Sequence, residues 1–240
     1  MALIEIEEMK KEYPMGGRKF TALKDINLTF EKGEFTGIVG PSGSGKTTLL
    51  NIIGSLDSQS DGTVVVKNLS VAELNARASA KLRSEHIGFI FQTYNLLPVY
   101  TVFENVEFPL LLMGMSTADR KKAVMDALEW VGLTDKVKSK PAQLSGGECQ
   151  RVAIARAIVK KPSIVLADEP TANLDAENSH NILQTMKKLN EDLGTTFIFS
   201  THDAKVIKYL RRKITLIDGK VAKDETTNVE SKADEAVNGG

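Results

Sequence analysis

The segment GPSGSGKTT, residues 40–48, constrains the fold of this chain more than any other stretch. It follows an apolar run at residues 33–39 that is typical of a buried strand, and it precedes LLNIIG, which is typical of a helix. Glycines at this spacing let successive backbone amides turn inward, and a helix N-terminus adds partial positive charge at the same point. The pattern therefore predicts a strand, a phosphate-binding loop and a helix in succession.

A loop of this kind predicts contacts with a nucleoside triphosphate. Lys46 would reach the outer phosphates, and the hydroxyl of Thr47 would bind Mg²⁺. The residues predicted to surround the phosphates are Gly40, Pro41, Ser42, Gly43, Ser44, Gly45, Lys46, Thr47 and Thr48. The loop alone leaves the class of protein open, because kinases, GTPases and motor proteins all contain it.

Short apolar runs followed by polar residues recur along the rest of the chain. They lie at residues 87–91, 162–168 and 195–200, and helical patterns separate most of them. This order is typical of an α/β fold with a mostly parallel sheet. Residues 21–31, by contrast, alternate apolar and polar side chains, which predicts a strand with one face in water.

The remaining segments suggest how the domain is divided. Between about residues 93 and 160 the pattern becomes helical, and residues 176–193 place apolar side chains at the spacing of a core-facing helix. We therefore predict one domain over residues 1–223, with a helical subdomain inserted at about 93–160. Residues 224–240 contain few apolar side chains and a surplus of acid, so we expect a flexible acidic tail there.

Polar side chains follow three of the predicted strands. Asp168 could hold Mg²⁺ through water, and Glu169, one residue later, could orient an attacking water. Gln92 could sense the metal or that water, and His202 could hydrogen-bond a γ-phosphate. Each has a simpler alternative: a solvated turn for the acids, a plain loop residue for the glutamine and a structural role for the histidine. Their positions near a phosphate loop favour the catalytic interpretation.

The segment LSGGE, residues 144–148, stands just before another apolar helical run. Two adjacent glycines cost a helix interior about 1 kcal/mol each, so they are tolerated best at its start. There the hydroxyl of Ser145, the amides of Gly146 and Gly147 and the helix N-terminus form a second anion-binding surface. The alternative, a plain helix cap, would leave the double glycine unexplained.

Composition narrows the choice of partners and compartment. The chain has 31 basic and 31 acidic side chains, so no overall positive field favours nucleic acid. The single cysteine, Cys149, excludes an intrachain disulfide and fits a reducing compartment. Residues 1–14 lack the features of a signal peptide, and no apolar run approaches the length of a spanning helix. We therefore expect a cytoplasmic protein that binds no nucleic acid and reaches a membrane only through a separate subunit.

Over roughly residues 2–223 the sequence resembles the ATP-binding subunits of ABC transporters. GPSGSGKTT is similar to their Walker A motif, FQTYN to the Q-loop, LSGGE to the family signature, VLADEP to Walker B, ANLD to the D-loop and STHD to the H-loop. All six occur in the family's order. The resemblance implies an α/β fold with a P-loop NTPase (RecA-like) core, a mostly parallel sheet, an N-terminal antiparallel β part and an inserted helical subdomain.

The resemblance also implies an ATPase that uses ATP and Mg²⁺ and works as a homodimer. Two subunits would pair head to tail, so that Ser145, Gly146 and Gly147 of one cap the ATP held by the P-loop of the other. Asp175 of the D-loop would lie at the dimer seam. Tyr13 stands where the family has an aromatic residue that stacks on adenine, a contact worth about 1–3 kcal/mol.

The remaining roles also follow from the resemblance. It assigns catalysis to Lys46, Gln92, Glu169 and His202, with Glu169 as the general base, and it assigns Mg²⁺ to Thr47, Gln92 and Asp168. The signature ends in Glu148, where glutamine is commoner in the family. Because a carboxylate near phosphates is unfavourable, we expect Glu148 to point away from them. The catalytic residues are intact, which predicts an active site.

In this family the segment after the Q-loop contacts a membrane permease subunit. Residues 94–100 are unusually apolar for a loop, which favours a partner surface, although the same side chains could instead pack into the helical subdomain. FQTYNLLP and LADEPTANLD look most like the branch that serves lipoprotein release, macrolide-type export and the cell-division complex. We expect a transport ATPase on the inner face of the cell membrane. The alternative is a mechanical signalling ATPase that regulates a membrane partner without moving cargo.

Overall fold

The structure, a computed structural model, describes residues 2–227. The strands are β1 (Ile4–Met15), β2 (Arg18–Phe30), β3 (Phe35–Val39), β4 (Asp61–Val66), β5 (Leu69–Ser70), β6 (Ile87–Ile90), β7 (Ile164–Asp168), β8 (Thr196–Thr201), β9 (Arg212–Ile217) and β10 (Lys220–Thr226). The helices are α1 (Lys46–Ile53), α2 (Ala76–His86), α3 (Val102–Leu112), α4 (Thr117–Trp130), α5 (Gly146–Ile158), α6 (Ala176–Leu193) and α7 (Ala204–Ile207). Within residues 2–227, none of these helices combines the length and the hydropathy needed to cross a membrane.

The central sheet has six strands in the order β10-β9-β3-β8-β7-β6. The strands from β9 to β6 run parallel, and β10 pairs antiparallel with β9 at one edge. Strands β3, β7 and β8 are buried along almost their whole length, because helices and the second sheet cover both of their faces. The predicted α/β fold with a mostly parallel sheet is confirmed.

The register of the central sheet brings several strand ends together. Val39 of β3 pairs with Thr201 of β8, and Asp168 of β7 pairs with Ser200 of β8. The carboxyl ends of these parallel strands therefore lie at one edge of the sheet. The loops that follow β3, β6, β7 and β8 emerge there side by side, which places their side chains around a common space.

A second, antiparallel sheet has the order β2-β1-β4-β5, which confirms the predicted N-terminal antiparallel part. Helix α1 lies between the two sheets. Its Leu49 and Ile52 are fully buried in a core that includes Ile4 of the second sheet and both Ile38 and Ile198 of the central sheet. The helix that follows the phosphate loop is therefore held from both sides.

Helices α3, α4 and α5 pack against one another on the other face of the central sheet. They fall within the span of about 93–160 predicted to be a helical subdomain, and α5 also packs on β6 and α6. Helix α6 has the bounds expected from its periodicity and buries Ile182, Met186 and Leu189. This packing fixes the start of α5 against the start of α6.

The predicted flexible tail began at residue 224, and that boundary is wrong. Strand β10 continues to Thr226 because Arg212 of β9 binds Asp224 through two hydrogen bonds, of 2.8 and 2.7 Å. The same guanidinium lies 3.0 Å from a carboxylate oxygen of Glu34. Acidic residues that suggested a tail are therefore partly ion-paired in a sheet. The rest of the predicted tail, residues 228–240, lies outside the described residues.

Candidate nucleotide-binding site

The loop between β3 and α1 depends on glycine for its shape. Gly45, just before α1, has a φ of 102°, a conformation that a side chain would strain. A Cβ there would also lie 2.7 Å from Leu23 Cδ2 and 2.9 Å from the carbonyl oxygen of Ala22. The turn is thus packed directly onto β2, and the amides at the start of α1 face the space above the loop.

Gly40→Ala should disrupt this loop, because a Cβ at position 40 would overlap the backbone oxygen of Leu216. We expect a loss of about 1–3 kcal/mol in the free energy of unfolding, and a shifted loop that binds ATP more weakly. Thermal unfolding and equilibrium titration with ATP measure the two effects. Gly33→Ala is the control, because Gly33 has a φ of 80° and no atom within 4 Å of the added Cβ. It should lower stability without changing ATP affinity. Unchanged ATP affinity in Gly40→Ala would contradict this view of the loop.

The charge of Lys46 is directed into the loop. Lys46 is only 7% exposed, and its ammonium donates to the carbonyl oxygens of Gly40 and Pro41, at 2.8 and 3.0 Å. Both acceptors are neutral backbone oxygens, so neither contact neutralises the positive charge. Nearby, Ser44 Oγ is buried and has no hydrogen-bond partner in the described part of the chain. A buried cation and an unpaired hydroxyl beside helical amides suit an anionic ligand.

The first carboxylate after β7 meets the hydroxyl at the start of α1. Thr47 Oγ1 lies 3.1 Å from Asp168 Oδ2 and 3.3 Å from Asp168 Oδ1. The side chain of Gln92, two residues beyond β6, lines the same cleft. These are hard oxygen donors, the kind that Mg²⁺ prefers, so the three predicted metal residues fit that ion in the company of phosphate oxygens.

The second carboxylate after β7 is held in a strained conformation. Glu169 has a φ of 47°, and its amide donates to the carbonyl of Ser200 at 2.9 Å. Its Oε1 lies 2.7 Å from Nδ1 of His202. The side chain of Glu169 is 15% exposed and that of His202 is 69% exposed, so the histidine forms the outer side of the pair. Left-handed conformations in residues other than glycine often mark functional positions, because the surrounding structure must enforce them.

Two aromatic side chains also line the cleft. Tyr13 of β1 pairs with Phe20 of β2 across the ladder, so both rings stand on the same face of the hairpin. The hydroxyl of Tyr13 donates to Asp57 Oδ2 at 2.8 Å, whereas Phe20 is 52% exposed. A flat apolar wall of this kind suits the face of a nucleobase.

These groups surround one cleft of about 480 Å³. The predicted site residues that line it are Tyr13, Ser42, Gly43, Gly45, Lys46, Thr47, Thr48, Gln92, Asp168, Glu169 and His202. The cleft is also lined by Phe20, Ala22 and Ser200, which the sequence did not assign to it. Ser200 could have been found from its position beside His202 at a strand end, since neighbouring strand ends share an edge. Gly40, Pro41 and Ser44 belong to the loop but are not among the lining residues.

The predicted anion-binding residues of LSGGE do not line this cleft. Ser145 is the N-cap of α5, and its hydroxyl accepts from the amide of Glu148 at 3.2 Å. In return, the carboxylate of Glu148 accepts from the amide of Ser145 at 2.7 Å and lies 3.2 Å from Lys136 Nζ. The hydrogen bonds from the amide and hydroxyl of Ser145 hold the pKa of Glu148 below its ordinary value. Glu148 is therefore turned back onto its own helix, while Ser145 and Gly146 are exposed.

The second glycine of LSGGE has a packing role. A Cβ on Gly147 would lie 2.5 Å from Oδ1 of Asn178 in α6. Asp175, the N-cap of α6, accepts from the amide and the side-chain amide of Asn178 at 2.8 and 2.7 Å. Asp175 is thus placed beside the start of α5 rather than in the cleft.

The side chain of Asn173, which the sequence did not single out, donates to the carbonyl of Gln92 at 2.8 Å. It joins this second region to the cleft.

A family model, two similar sequences and a similar solved structure all indicate the same family. A family model for the ABC transporter domain matches residues 23–172. The chain is 44% identical over 227 residues to the uncharacterized ABC transporter ATP-binding protein MJ0796 of Methanocaldococcus jannaschii, covering 93% of this chain and 97% of that protein. It is 43% identical over 224 residues to the lipoprotein-releasing system ATP-binding protein LolD of Idiomarina loihiensis, covering 93% and 98%. A solved dimeric structure of the cassette MJ0796, in a post-hydrolysis state bound to ADP and Pi, has a TM-score of 0.86 at 44% identity, covering 93% and 98%.

Proposed function

Because the chain belongs to the ABC transporter family and is an ATPase, we propose that two copies pair head to tail around ATP and drive a separate membrane permease. The likeness to a lipoprotein-releasing ATPase supports the branch that serves lipoprotein release or export. In this proposal the subunit lies on the cytoplasmic face of the cell membrane, where the permease holds it.

One observation carries the proposal: the two regions predicted to bind anions lie apart from each other in each chain. Lys46 and the amides of the phosphate loop face the cleft, whereas Ser145 and Gly146 are exposed at the start of another helix and do not line it. In a single chain, the exposed Ser145 surface therefore does not reach the phosphate loop. Head-to-tail pairing would place the Ser145 surface of each copy over the phosphate loop of the other. Asp175 would then lie near the interface between the two copies.

The cleft residues have separable roles in the proposed reaction. Thr47, Asp168 and Gln92 would hold Mg²⁺, which when bound neutralises charge on the phosphates. Lys46 would leave its two carbonyl acceptors for phosphate oxygens. Glu169 would accept the proton of the attacking water, and His202, whose Nδ1 lies 2.7 Å from Glu169 Oε1, would orient that carboxylate and hydrogen-bond the terminal phosphate. Tyr13 would stack on the base.

The surface beyond the cleft supports a permease partner. Within the apolar loop at residues 94–100, Leu96 packs against the core, while Val99 and Tyr100 are exposed. Two residues near the end of α3, Leu111 and Leu112, are exposed as well. Several large apolar side chains exposed in this part of the chain favour a protein partner, and the permease is the partner that we propose.

The dependence of activity on protein concentration tests the pairing. If two chains form each site, the specific ATPase activity of dilute protein should rise with its concentration and then saturate as dimers form. Phosphate release measured over a dilution series, with the oligomeric state followed in parallel, gives the answer. Full-rate hydrolysis by a strictly monomeric preparation would overturn the proposal.

Reconstitution tests the permease. The chain should co-purify with its membrane partner, and ATP should then drive movement of cargo in vesicles. An ATP-driven change in the partner without movement of cargo would reject transport and support a mechanical signalling role. The matched control is the same vesicle preparation with a non-hydrolysable ATP analogue.

A further inference from the structure

The ring of Tyr13 is fixed by charged groups from other parts of the chain. Its hydroxyl donates to one carboxylate oxygen of Asp57 at 2.8 Å. The other oxygen of Asp57 lies 2.5 Å from Lys11 Nζ, which also donates to the carbonyl of Ser58 at 2.6 Å. The same ammonium lies 4.8 Å from the centre of the Tyr13 ring, within the range of a cation–π contact. The ring is therefore restrained both at its hydroxyl and at one face.

Burial shields the ion pair between Lys11 and Asp57 from water, since their side chains are 10% and 30% exposed. Burial alone would raise the pKa of Asp57, but hydrogen bonds from Lys11, Tyr13 and the Ser58 amide outweigh it and lower that pKa below its ordinary value. Burial, and then the bond to Asp57, raise the pKa of the Tyr13 hydroxyl. At neutral pH the acceptor is thus charged and the donor keeps its proton.

Asp57 comes from the loop after α1, the helix that begins at the phosphate loop. Its amide lies 3.3 Å from the carbonyl of Asn51 in that helix. Further along the loop, Ser60 donates its amide to the carbonyl of Lys10 at 2.8 Å, and its hydroxyl accepts from the amide of Glu12 at 2.9 Å. The loop thereby ties β1, which carries Tyr13, to the helix that carries the phosphate-binding residues.

We propose that Asp57, held by Lys11, is a positioning residue that presets the Tyr13 ring for stacking on a nucleobase. The inference rests on the proposed nucleotide site, where Tyr13 lines the cleft together with Phe20 and Thr48. A ring that is already fixed loses less rotational freedom when the base arrives, so binding is tighter. Asp57 acts without touching the nucleotide, and its effect passes through the hydroxyl of Tyr13.

Asp57→Ala and Tyr13→Phe should each weaken ATP binding by about 3- to 10-fold, because each frees a ring that keeps its stacking face. The KM for ATP should rise by the same factor while kcat stays unchanged, since neither group reaches the reacting phosphates. Binding of inorganic tripolyphosphate, which has no base, should not change. In the double variant the loss of ATP affinity should equal that of either single variant, because both changes remove the same hydrogen bond between Tyr13 and Asp57.

Glu12→Gln is the matched control, because Glu12 lies on the same strand and pairs with Lys10 and Lys19 at 2.7 and 3.1 Å, away from the cleft. This variant should change neither the affinity for ATP nor the affinity for tripolyphosphate. Additive losses in the double variant, or an equal loss of tripolyphosphate binding, would overturn the inference. If Asp57→Ala does not fold, Tyr13→Phe decides alone, and unchanged ATP affinity in it rejects the positioning role. A wild-type chain that bound neither ATP nor tripolyphosphate would instead reject the proposed function.

Discussion

Glu169→Gln should lower kcat for ATP hydrolysis at least about 100-fold, the scale of the contribution made by a positioned general base. The backbone of Glu169 is in a left-handed conformation, and its carboxylate lines the cleft 2.7 Å from His202 Nδ1. An amide keeps the size of the side chain but does not take up a proton at neutral pH. ATP binding should be retained, because Lys46 and the phosphate loop are unchanged and one negative charge beside the phosphates is removed.

The same variant should accumulate as a dimer when ATP is added, since hydrolysis no longer separates the two copies. Phosphate release gives kcat, titration gives ATP affinity, and size-exclusion chromatography with ATP gives the oligomeric state. Glu129→Gln, at an exposed position on α4, is the control and should leave all three unchanged. Turnover at the wild-type rate in Glu169→Gln would remove this residue from its proposed role.

The features that the sequence predicted best are those whose signals are local. The strand, phosphate loop and first helix follow one another between residues 35 and 53, so each element supports the next. The bounds of α6 agree with its periodicity, because an N-cap at Asp175 and a left-handed glycine at Gly194 mark its ends. Short apolar runs located β3, β6, β7 and β8 for the same reason, whereas the parallel strand β9 was not predicted.

The features that were missed depend on contacts between distant parts of the chain. Phe20 reaches the cleft because β2 pairs with β1 and sets it opposite Tyr13. Residues 224–226 looked like a tail because their composition is polar, and only the position of Arg212 on the neighbouring strand explains why Asp224 is ordered. Asp57 carried no local signal at all, since its partners Lys11 and Tyr13 lie more than forty residues earlier.

Ser145→Arg should abolish ATP-dependent dimerisation and lower hydrolysis at least about 100-fold, while ATP binding to the single chain stays unchanged. Ser145 is exposed at the start of α5 and outside the cleft, so a long side chain there obstructs the proposed seam without entering the phosphate loop. Size-exclusion chromatography with ATP measures dimerisation, phosphate release measures hydrolysis, and equilibrium titration measures ATP binding. Ser145→Ala is the control for loss of the helix cap, which costs about 1 kcal/mol and should impair dimerisation far less. Normal dimerisation by Ser145→Arg would count against the second anion surface.

Mixing two inactive variants tests whether the two regions act across the seam. In Ser145→Arg the phosphate loop is intact, and in Lys46→Ala the Ser145 surface is intact. A head-to-tail mixed dimer therefore contains one complete site, built from Lys46 of one copy and Ser145 of the other, and one site that lacks both. Equal mixing should restore hydrolysis to at most about a quarter of the wild-type rate, the limit for random pairing with one intact site in each mixed dimer. The arginine at the second site weakens pairing, so the rate should lie below this limit and well above that of either variant alone. If both groups served one site within a single chain, the mixture would stay as inactive as its components.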